Sequence, residues 1–347
     1  MKGNEVMSEA AIRAGSRFYA GYPITPQNEV PEYMAAHMPA AGGTFIQAES
    51  ELAAISMLFG AAATGARCMT SSSSPGISLK QEGISYIAAA ELPCVIANVQ
   101  RGGPGLGNIR AAQADYFQAV KGGGHGDYHC IVLAPSTLQD TWELTMNAFD
   151  YADHYRNPVM ILTDGIIGQM AEPVAATPYQ PLFGPETKDW ILDGCKGRKP
   201  RVIRTLFLYP LDSLAEHNRR LAAKYARIAA ELKLAEEIET ADAELVLAAY
   251  GICGRMAKGA IRLARDRGMK VGLIRPITLW PFPDVPFVRA ADKVRKFLVV
   301  EMSSGQFVED VKLAMQCRRP VEFLGLGGGW YPTTETILEK IEAVYKG

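Results

Sequence analysis

Two short segments near the amino end carry side chains that could do chemistry. Residues 21–26 read Gly-Tyr-Pro-Ile-Thr-Pro, a loop whose two prolines largely fix its shape and whose hydroxyl, on Thr25, lies between them. Residues 47–51, Gln-Ala-Glu-Ser-Glu, place carboxylates just before an alanine-rich helical run. A rigid hydroxyl-bearing loop beside an acid suggests a site. The alternative is a strand-exit turn and an ordinary helix start, where acids are common because of the helix dipole.

Composition excludes several classes of protein. A formal net charge of −1 over 347 residues argues against nucleic-acid binding, which needs a basic face. The six cysteines are scattered without a Cys-x-x-Cys pair, which argues against an iron–sulfur or zinc segment in this chain and favours buried thiols in a reducing cytoplasm. We find no signal peptide and no run of about 18 apolar residues, so we expect a cytoplasmic protein without membrane contact.

The elements that must position these side chains alternate between strand and helix as far as residue 165. Such alternation predicts an α/β fold with a doubly wound, mostly parallel sheet. Three polar or glycine-rich loops, at 22–26, 71–76 and 102–107, each follow a predicted strand. Because ligands bind beyond the carboxyl ends of strands in such sheets, we expect the three loops to share one site.

The later part of the chain changes in character. Prolines are frequent from residue 173 to residue 200, and residues 211–239 have the pattern of one long amphipathic helix. A second, smaller α/β unit begins near residue 243. We therefore expect a first domain at 1–175, a proline-rich linker with the long helix at 176–241, and a second domain at 242–347.

The motifs taken together resemble one known family, the alpha subunits of 2-oxoacid:ferredoxin oxidoreductases. The matching segments, in family order, are Gly-Asn-Glu at 3–5, Gly-Tyr-Pro-Ile-Thr-Pro at 21–26, Ala-Glu-Ser-Glu at 48–51, Thr-Ser-Ser-Ser-Ser-Pro-Gly at 70–76, Arg-Gly-Gly-Pro-Gly at 101–105, Lys-Gly-Gly-Gly-His-Gly-Asp-Tyr at 121–128 and Arg-Pro-Ile-Thr-Leu-Trp-Pro-Phe-Pro at 275–283. The chain is most similar to the branched-chain (3-methyl-2-oxobutanoate) type, and next to the 2-oxoglutarate type.

The resemblance implies a thiamine diphosphate enzyme that converts a 2-oxoacid and coenzyme A to acyl-CoA and CO2 and passes electrons to ferredoxin. This chain would supply the pyrimidine-binding domain and a transketolase C-terminal-like domain. A beta subunit would hold the diphosphate and Mg2+, and gamma and ferredoxin-like delta subunits would complete the complex, with the iron–sulfur clusters on partner subunits. The alternatives are the 2-oxoglutarate or pyruvate type of the same family, a non-oxidative thiamine enzyme half and a non-catalytic scaffold.

The resemblance also implies roles for single residues. Glu51 would hydrogen-bond the pyrimidine ring of the cofactor, and Glu49 competes for that role. Thr25 would contact the keto-acid end of the substrate, although its hydroxyl could also tie down its own loop. Arg101 would bind the substrate carboxylate, for which a guanidinium offers a two-pronged donor.

Further residues are expected around the cofactor. Tyr22, Pro23 and Ile24 would line it, and Ser73 and Ser74 could offer hydroxyls and helix-start amides, or form only a polar turn with a helix cap. We expect no metal ligands, because Asp164 lacks the Gly-Asp-Gly context of a magnesium–diphosphate site and is interpreted as a strand-end residue. The 121–127 loop is expected at a subunit interface, with His125 a weak candidate for proton transfer.

Overall fold

The first half of the chain folds into a seven-stranded sheet in the computed structural model, which describes residues 1–346. Six strands are parallel and come from this half: β1 (Phe18–Gly21), β2 (Thr44–Gln47), β3 (Cys68–Ser72), β4 (Cys94–Gln100), β5 (Ile131–Leu133) and β6 (Pro158–Asp164). The helices between and around them are α1 (Gly3–Arg13), α2 (Glu29–His37), α3 (Glu51–Ala63), α4 (Ser74–Ala89), α5 (Tyr116–Val120), α6 (Leu138–Tyr155) and α7 (Gly165–Gln169).

The three central strands explain why this sheet is stable. Every residue of β3, β4 and β6 is buried, as expected for parallel strands covered by helices on both faces. Polar residues concentrate at the carboxyl ends of β3 and β4 rather than at their starts. The buried polar side chains of this sheet therefore gather where ligands bind in doubly wound folds.

The second half of the chain forms a five-stranded sheet. The helices and strands of this half of the chain are α8 (Ser213–Glu231), β7 (Ala235–Ile238), β8 (Leu245–Ala248), α9 (Gly251–Asp266), β9 (Val271–Pro276), β10 (Thr278–Trp280), α10 (Asp284–Ala291), β11 (Lys296–Glu301), α11 (Phe307–Ala314), β12 (Val321–Gly325) and α12 (Thr334–Lys346). The strand order is β12-β11-β8-β9-β7, with β7 antiparallel to β9. The predicted α/β class, with two mostly parallel sheets, is confirmed.

The prediction of one helix over residues 211–239 is wrong at both ends. Helix α8 covers Ser213–Glu231, and after Leu232 the chain extends into β7. Glu236 of β7 pairs with Arg275 of β9, and its Oε2 lies 2.6 Å from Arg275 Nε. This tertiary pairing outweighs the helix propensity of the local sequence.

Strand β10 leaves the second half and joins the first sheet. It pairs antiparallel with β5, so the sheet order becomes β10-β5-β6-β4-β3-β1-β2. A three-residue strand between prolines carries too little pattern to be predicted from sequence. The result is that the last strand at one edge of the first sheet comes from the second half of the chain.

The segment 113–117, which follows the 102–110 loop, is also held by the second half of the chain. Gln113 donates from its backbone N–H to Met302 O at 2.9 Å and from Nε2 to Tyr250 O at 3.0 Å. Gln306 Nε2 donates to Ala114 O at 2.7 Å. The second half therefore fixes the chain close to the loops at the carboxyl edge of the first sheet.

None of the helices within residues 1–346 is both long enough and apolar enough to span a membrane.

Candidate functional site

The loop at residues 22–27 leaves β1 and is anchored by buried polar side chains. Asn4 of α1 donates from Nδ2 to Pro26 O at 2.9 Å, and Gln27 donates from Nε2 to Tyr22 O at 3.3 Å. Ser71 of β3 donates from Oγ to Gln27 Oε1 at 2.5 Å. The loop is thus fixed both to α1 and to the neighbouring strand, which leaves its tip in a defined position.

Arg101 and Thr25 come together above the ends of β1 and β4. Arg101 is only 7% exposed; its Nη1 donates to Thr25 O at 2.9 Å and its Nη2 to Leu106 O at 3.1 Å. Its Nε is buried and has no hydrogen-bond partner. The Thr25 hydroxyl lies 3.5 Å from Asn28 Nδ2, too far for a strong bond, so it remains available to a ligand.

Glu51 is buried at the start of α3, whereas Glu49 is exposed. Glu51 is 6% exposed and occupies the first turn of the helix, which Ser50 caps by accepting the Ala53 N–H at 3.2 Å. A methyl group on Gly76 of α4 would lie 2.6 Å from Glu51 Oε1. The carboxylate therefore sits where the first turns of α3 and α4 meet, and glycine at 76 makes room for it.

The serines at the end of β3 divide into two groups. The hydroxyls of Ser72 and Ser73 are buried and have no hydrogen-bond partner, and a methyl on Gly76 would overlap Ser72 Oγ. Ser74 instead accepts the Arg101 N–H at 3.0 Å and donates to Asp115 Oδ2 at 2.6 Å. Ser72 and Ser73 therefore have unused hydrogen-bonding capacity, while Ser74 is engaged in holding Arg101.

A buried polar network beneath Arg101 was not predicted from sequence. Asp115 Oδ2 also accepts from Asn98 Nδ2 at 3.0 Å, and the Asp115 N–H donates to Gln100 Oε1 at 3.1 Å. Burial raises the pKa of Asp115, while the bonds from Ser74 and Asn98 act in the opposite direction. The available signal was the spacing of Asn98 and Gln100, two polar residues on one face of a strand that is otherwise apolar.

The three residues predicted to line the cofactor lie at the rim of this region. Tyr22 and Pro23 are exposed and Ile24 is half-buried, so the loop presents them outwards. Such a rim needs another surface to cover it before it can enclose a ligand.

Of the two other candidates, only Asp164 lies at the carboxyl edge of the first sheet, where it is opposite Gln100 of β4. His125 is exposed, and its backbone oxygen accepts a hydrogen bond from Ser85 Oγ at 2.7 Å. Ser85 lies about three turns after Ser74, the first residue of α4. Asp164 ends β6 and caps α7, accepting the Ile166 and Ile167 N–H groups at 2.9 and 3.2 Å. Among residues 1–346 we find no group of three or more His, Cys, Asp or Glu side chains arranged to hold a metal.

Comparison with known proteins identifies the family. The model of the pyruvate flavodoxin/ferredoxin oxidoreductase thiamine diphosphate-binding family matches residues 9–193, and that of the pyruvate:ferredoxin oxidoreductase core domain II matches residues 243–337. The chain belongs to the 2-oxoacid:ferredoxin oxidoreductase family. It is a subunit of this family that contains the thiamine diphosphate-binding module.

Relatives of this oxidoreductase subunit match it over nearly their whole length. Ketoisovalerate oxidoreductase subunit VorB of Methanothermobacter thermautotrophicus is 49% identical over 344 residues, which cover 99% of this chain and 97% of the relative. 2-Oxoglutarate synthase subunit KorA of Archaeoglobus fulgidus is 38% identical over 328 residues, covering 94% of each chain.

Solved structures agree with this fold. The 2-oxoglutarate:ferredoxin oxidoreductase from Magnetococcus marinus, solved with 2-oxoglutarate, coenzyme A and succinyl-CoA bound, superposes with a TM-score of 0.86 at 27% identity. The match covers 99% of this oxidoreductase subunit but 64% of that chain. A split-gene transketolase shares the fold with a TM-score of 0.63 at 13% identity.

The carboxyl edge of the first sheet of the oxidoreductase subunit suits the aminopyrimidine end of thiamine diphosphate. Buried donors and acceptors without partners, Ser72 Oγ, Ser73 Oγ and Arg101 Nε, cluster at the ends of β3 and β4. Buried polar groups are normally hydrogen-bonded, so several unpartnered atoms at neighbouring strand ends indicate a polar ligand. The buried Glu51 carboxyl lies beside Ser72, and a carboxyl group can share a proton with a pyrimidine ring nitrogen, which accepts hydrogen bonds.

Proposed function

We propose that this chain is the alpha subunit of a coenzyme A-dependent 2-oxoacid:ferredoxin oxidoreductase that acts on a branched-chain 2-oxoacid such as 2-oxoisovalerate. The observation that carries the proposal is the 49% identity to the ketoisovalerate oxidoreductase subunit along nearly the entire chain, against 38% to the 2-oxoglutarate relative. The pyruvate type has weaker support. The complex would work in the cytoplasm, where its free cysteines would stay reduced.

In this proposal Glu51 accepts or shares a proton at the pyrimidine ring nitrogen of the cofactor. Its burial favours this role, because a hydrogen bond is stronger where water is excluded. Glu49 is exposed and lacks that advantage. When bound, thiamine diphosphate supplies the electron sink that decarboxylation of a 2-oxoacid requires.

Thr25 and Arg101 would bind the substrate. The free Thr25 hydroxyl would donate to the keto-acid end, and Arg101, preset by its bonds to Thr25 O and Leu106 O, would offer its remaining N–H groups to the carboxylate. Tyr22, Pro23, Ile24, Ser73 and Ser74 would surround the cofactor, with Ser74 acting through its hold on Arg101.

Partner subunits would complete the site. The diphosphate and its Mg2+ would lie on a beta subunit, and the iron–sulfur clusters that pass electrons to ferredoxin on gamma and delta subunits, as the resemblance to the family implies. The exposed rim at Tyr22 and Pro23 is the surface that the beta subunit would cover.

The test is an assay of the complex co-purified with its partners. We expect coenzyme A-dependent reduction of a viologen dye with 2-oxoisovalerate, and slower reduction with 2-oxoglutarate and pyruvate. A preference for 2-oxoglutarate would move the chain to the 2-oxoglutarate type, which the structural similarity to the Magnetococcus marinus enzyme makes the second candidate.

The same assay tests the role of Glu51. Glu51→Gln removes the carboxylate at nearly constant volume, so we expect loss of 2-oxoacid-dependent dye reduction in a complex that still assembles. Glu49→Gln is the matched control, because that side chain is exposed and should leave the rate near wild type. Full activity of Glu51→Gln would remove Glu51 from the mechanism.

A further inference from the structure

Lys80 is a buried amine that no step above uses. It lies in the second turn of α4 and is 0% exposed, a rare position for a lysine without an ion pair. Its Nζ donates to Thr70 Oγ1 at 2.5 Å and to Ser71 O at 3.3 Å. No carboxylate within residues 1–346 comes within ion-pair distance of it.

The environment of Lys80 makes simple packing an inadequate explanation. Burial lowers the pKa of Lys80 to about 7, and the charge of Glu51 acts against that shift. A methionine would fill the same space without the free energy required to bury an amine. The amine is therefore a destabilising feature that titrates close to neutral pH, the kind of feature that clusters at functional sites.

The helical periodicity of α4 places Lys80 on the face of the helix that meets Glu51. Gly76, whose added methyl would lie 2.6 Å from Glu51 Oε1, is four residues before Lys80 and hence on the same face of α4, one turn away. Long side chains on a helix lean towards its amino end, which is the direction of that turn. Its acceptors, Thr70 and Ser71, immediately precede the unpartnered Ser72.

Other ionisable groups around Lys80 come from each neighbouring element. Tyr19 of β1 shares a hydrogen bond with Ser71 Oγ at 2.6 Å, and burial raises the pKa of that phenol further above neutrality. At the first turn of α4, Asp115 and Arg101 are both bonded to Ser74. Helix α3 contributes Glu51, the charged group whose field acts on Lys80.

We propose that Lys80 is a positioning residue of this cofactor half-site. Its Nζ ties α4 to the end of β3, and its positive charge attracts the Glu51 carboxylate. The inference rests on the proposed function, since it assigns Lys80 a role through Glu51. A protonated Lys80 attracts the Glu51 carboxylate, and a neutral amine does not. Lys80 would thereby make cofactor binding and turnover depend on pH around neutrality.

Two variants of Lys80 and one control test this role in the reconstituted complex. Lys80→Met keeps the length and apolar stem but removes the charge, and Lys80→Gln keeps a donor for Thr70 should the methionine variant fail to assemble. Lys224→Met is the matched control, because Lys224 is another largely buried lysine whose pKa burial lowers to about 8, and it pairs with Glu91 at 3.3 Å, away from the site.

The first measurement is calorimetric titration of thiamine diphosphate with Mg2+ into cofactor-depleted complex from about pH 6 to about pH 9. We expect the wild-type affinity to change with pH across this range, and the change to flatten in Lys80→Met and Lys80→Gln but not in Lys224→Met. A wild-type pH dependence in both Lys80 variants overturns the inference.

The second measurement is the pH profile of viologen reduction. Loss of an amine that titrates in this range should flatten the pH dependence of the rate between about pH 6 and about pH 9 in the Lys80 variants, but not in Lys224→Met. A merely structural lysine would lower the rate at every pH and leave the shape of the profile unchanged, which would also overturn the inference. If the wild-type complex reduced no dye with any 2-oxoacid, the proposed function would fail, while the calorimetric comparison would still test Lys80.

Discussion

At the scale of single residues, Arg101 has both a structural and a ligand-binding capacity. Two of its nitrogens hold the 22–27 and 102–107 loops through Thr25 O and Leu106 O, while Nε is buried without a partner. Ser74 and Asp115 fix its backbone from below. A side chain so constrained loses little entropy when it binds a carboxylate.

Arg101→Lys tests that capacity. Lysine keeps the charge but not the planar fork, so we expect the KM for the 2-oxoacid to rise by about tenfold or more, with a smaller change in kcat. Steady-state kinetics of the complex measure this. Arg110→Lys, on the exposed part of the same loop, serves as control. Equal KM and kcat in Arg101→Lys and wild type would exclude Arg101 from the carboxylate site.

The sequence predicted the gathering of the strand-end loops but not the contacts within the cluster. Proline and glycine patterns located the loops, and parallel-sheet geometry put them at one edge. No local pattern encodes side-chain directions across three strands. The sequence therefore could not predict that Arg101 bonds to Thr25 O or that Asp115 bonds to Ser74. The catalytic role of Glu51 stays a prediction; its burial, against the exposure of Glu49, supports it.

At the scale of elements, the close approach of α3 and α4 determines the surroundings of Glu51. Their first turns meet at Glu51, Ser72 and Gly76, where no side chain larger than hydrogen fits. A second contact of this kind lies along the same pair of helices, where a methyl on Gly83 would lie 2.7 Å from Ile55 Cγ1. The two helices are therefore packed closely both at Glu51 and about two turns further along α4.

Gly76→Ala should displace Glu51 and Ser72 rather than unfold the chain. The added methyl overlaps Ser72 Oγ and crowds Glu51 Oε1, so we expect weaker thiamine diphosphate binding and at least about a hundredfold slower dye reduction. Gly60→Ala is the control: that exposed glycine of α3 has nothing within 4 Å of an added methyl, and it should stabilise the chain by about 0.5–1 kcal/mol. Wild-type cofactor affinity in Gly76→Ala would contradict the packing argument.

Asp164 accepts backbone N–H groups from the first turns of α7 and α9, and its titration should make the stability of the fold depend on pH. Burial raises its pKa to about 6 from an ordinary value of 3.8, although the Ile166, Ile167 and Ile252 N–H groups act to lower it. A folded-state pKa above the unfolded one contributes stability that is present below pH 3.8 and lost as pH rises through about 6. The Asp164 carboxyl should therefore stabilise the fold more at pH 4 than at pH 7.

Asp164→Asn removes this titration but keeps one oxygen for the α7 cap. Urea titrations give the free energy of unfolding of wild type and variant at each pH. We expect the difference, wild type minus variant, to fall by on the order of 2 kcal/mol between pH 4 and pH 7. Asp140→Asn should show the opposite slope: burial would raise the Asp140 pKa, but the Arg275 charge and the Ser136 bonds bring it below its usual value. A flat difference for Asp164→Asn would show that the group does not titrate in this window.

At the scale of the whole molecule, two sheets are joined by more than a linker. Strand β10 crosses to the first sheet, and Gln113 and Gln306 bridge the halves beside the site. The sequence predicted both α/β units, because strand–helix alternation is local, but missed β7 and β10, which are short and defined by their partners. The domain boundaries at 175 and 241 stay predictions, with β7 beginning inside the expected linker segment.

The isolated chain should bind thiamine diphosphate poorly. In the proposed assembly this chain holds the pyrimidine end of the cofactor and a beta subunit holds the diphosphate and Mg2+, so the isolated chain lacks half of the site. Calorimetry of the purified chain with cofactor and Mg2+ should give weak or undetectable binding, and addition of the beta subunit should restore it. Micromolar affinity of the chain alone would show that it holds the diphosphate by itself.

The crossing of β10 also bears on how the chain folds as it is made. Strand β5 emerges from the ribosome long before residues 278–280, so the edge that β10 covers stays unpaired while the intervening segment is synthesised. An open strand edge is where nascent chains pair with one another. The first sheet can be completed only after most of the second half has been translated, so the two halves of this subunit mature together.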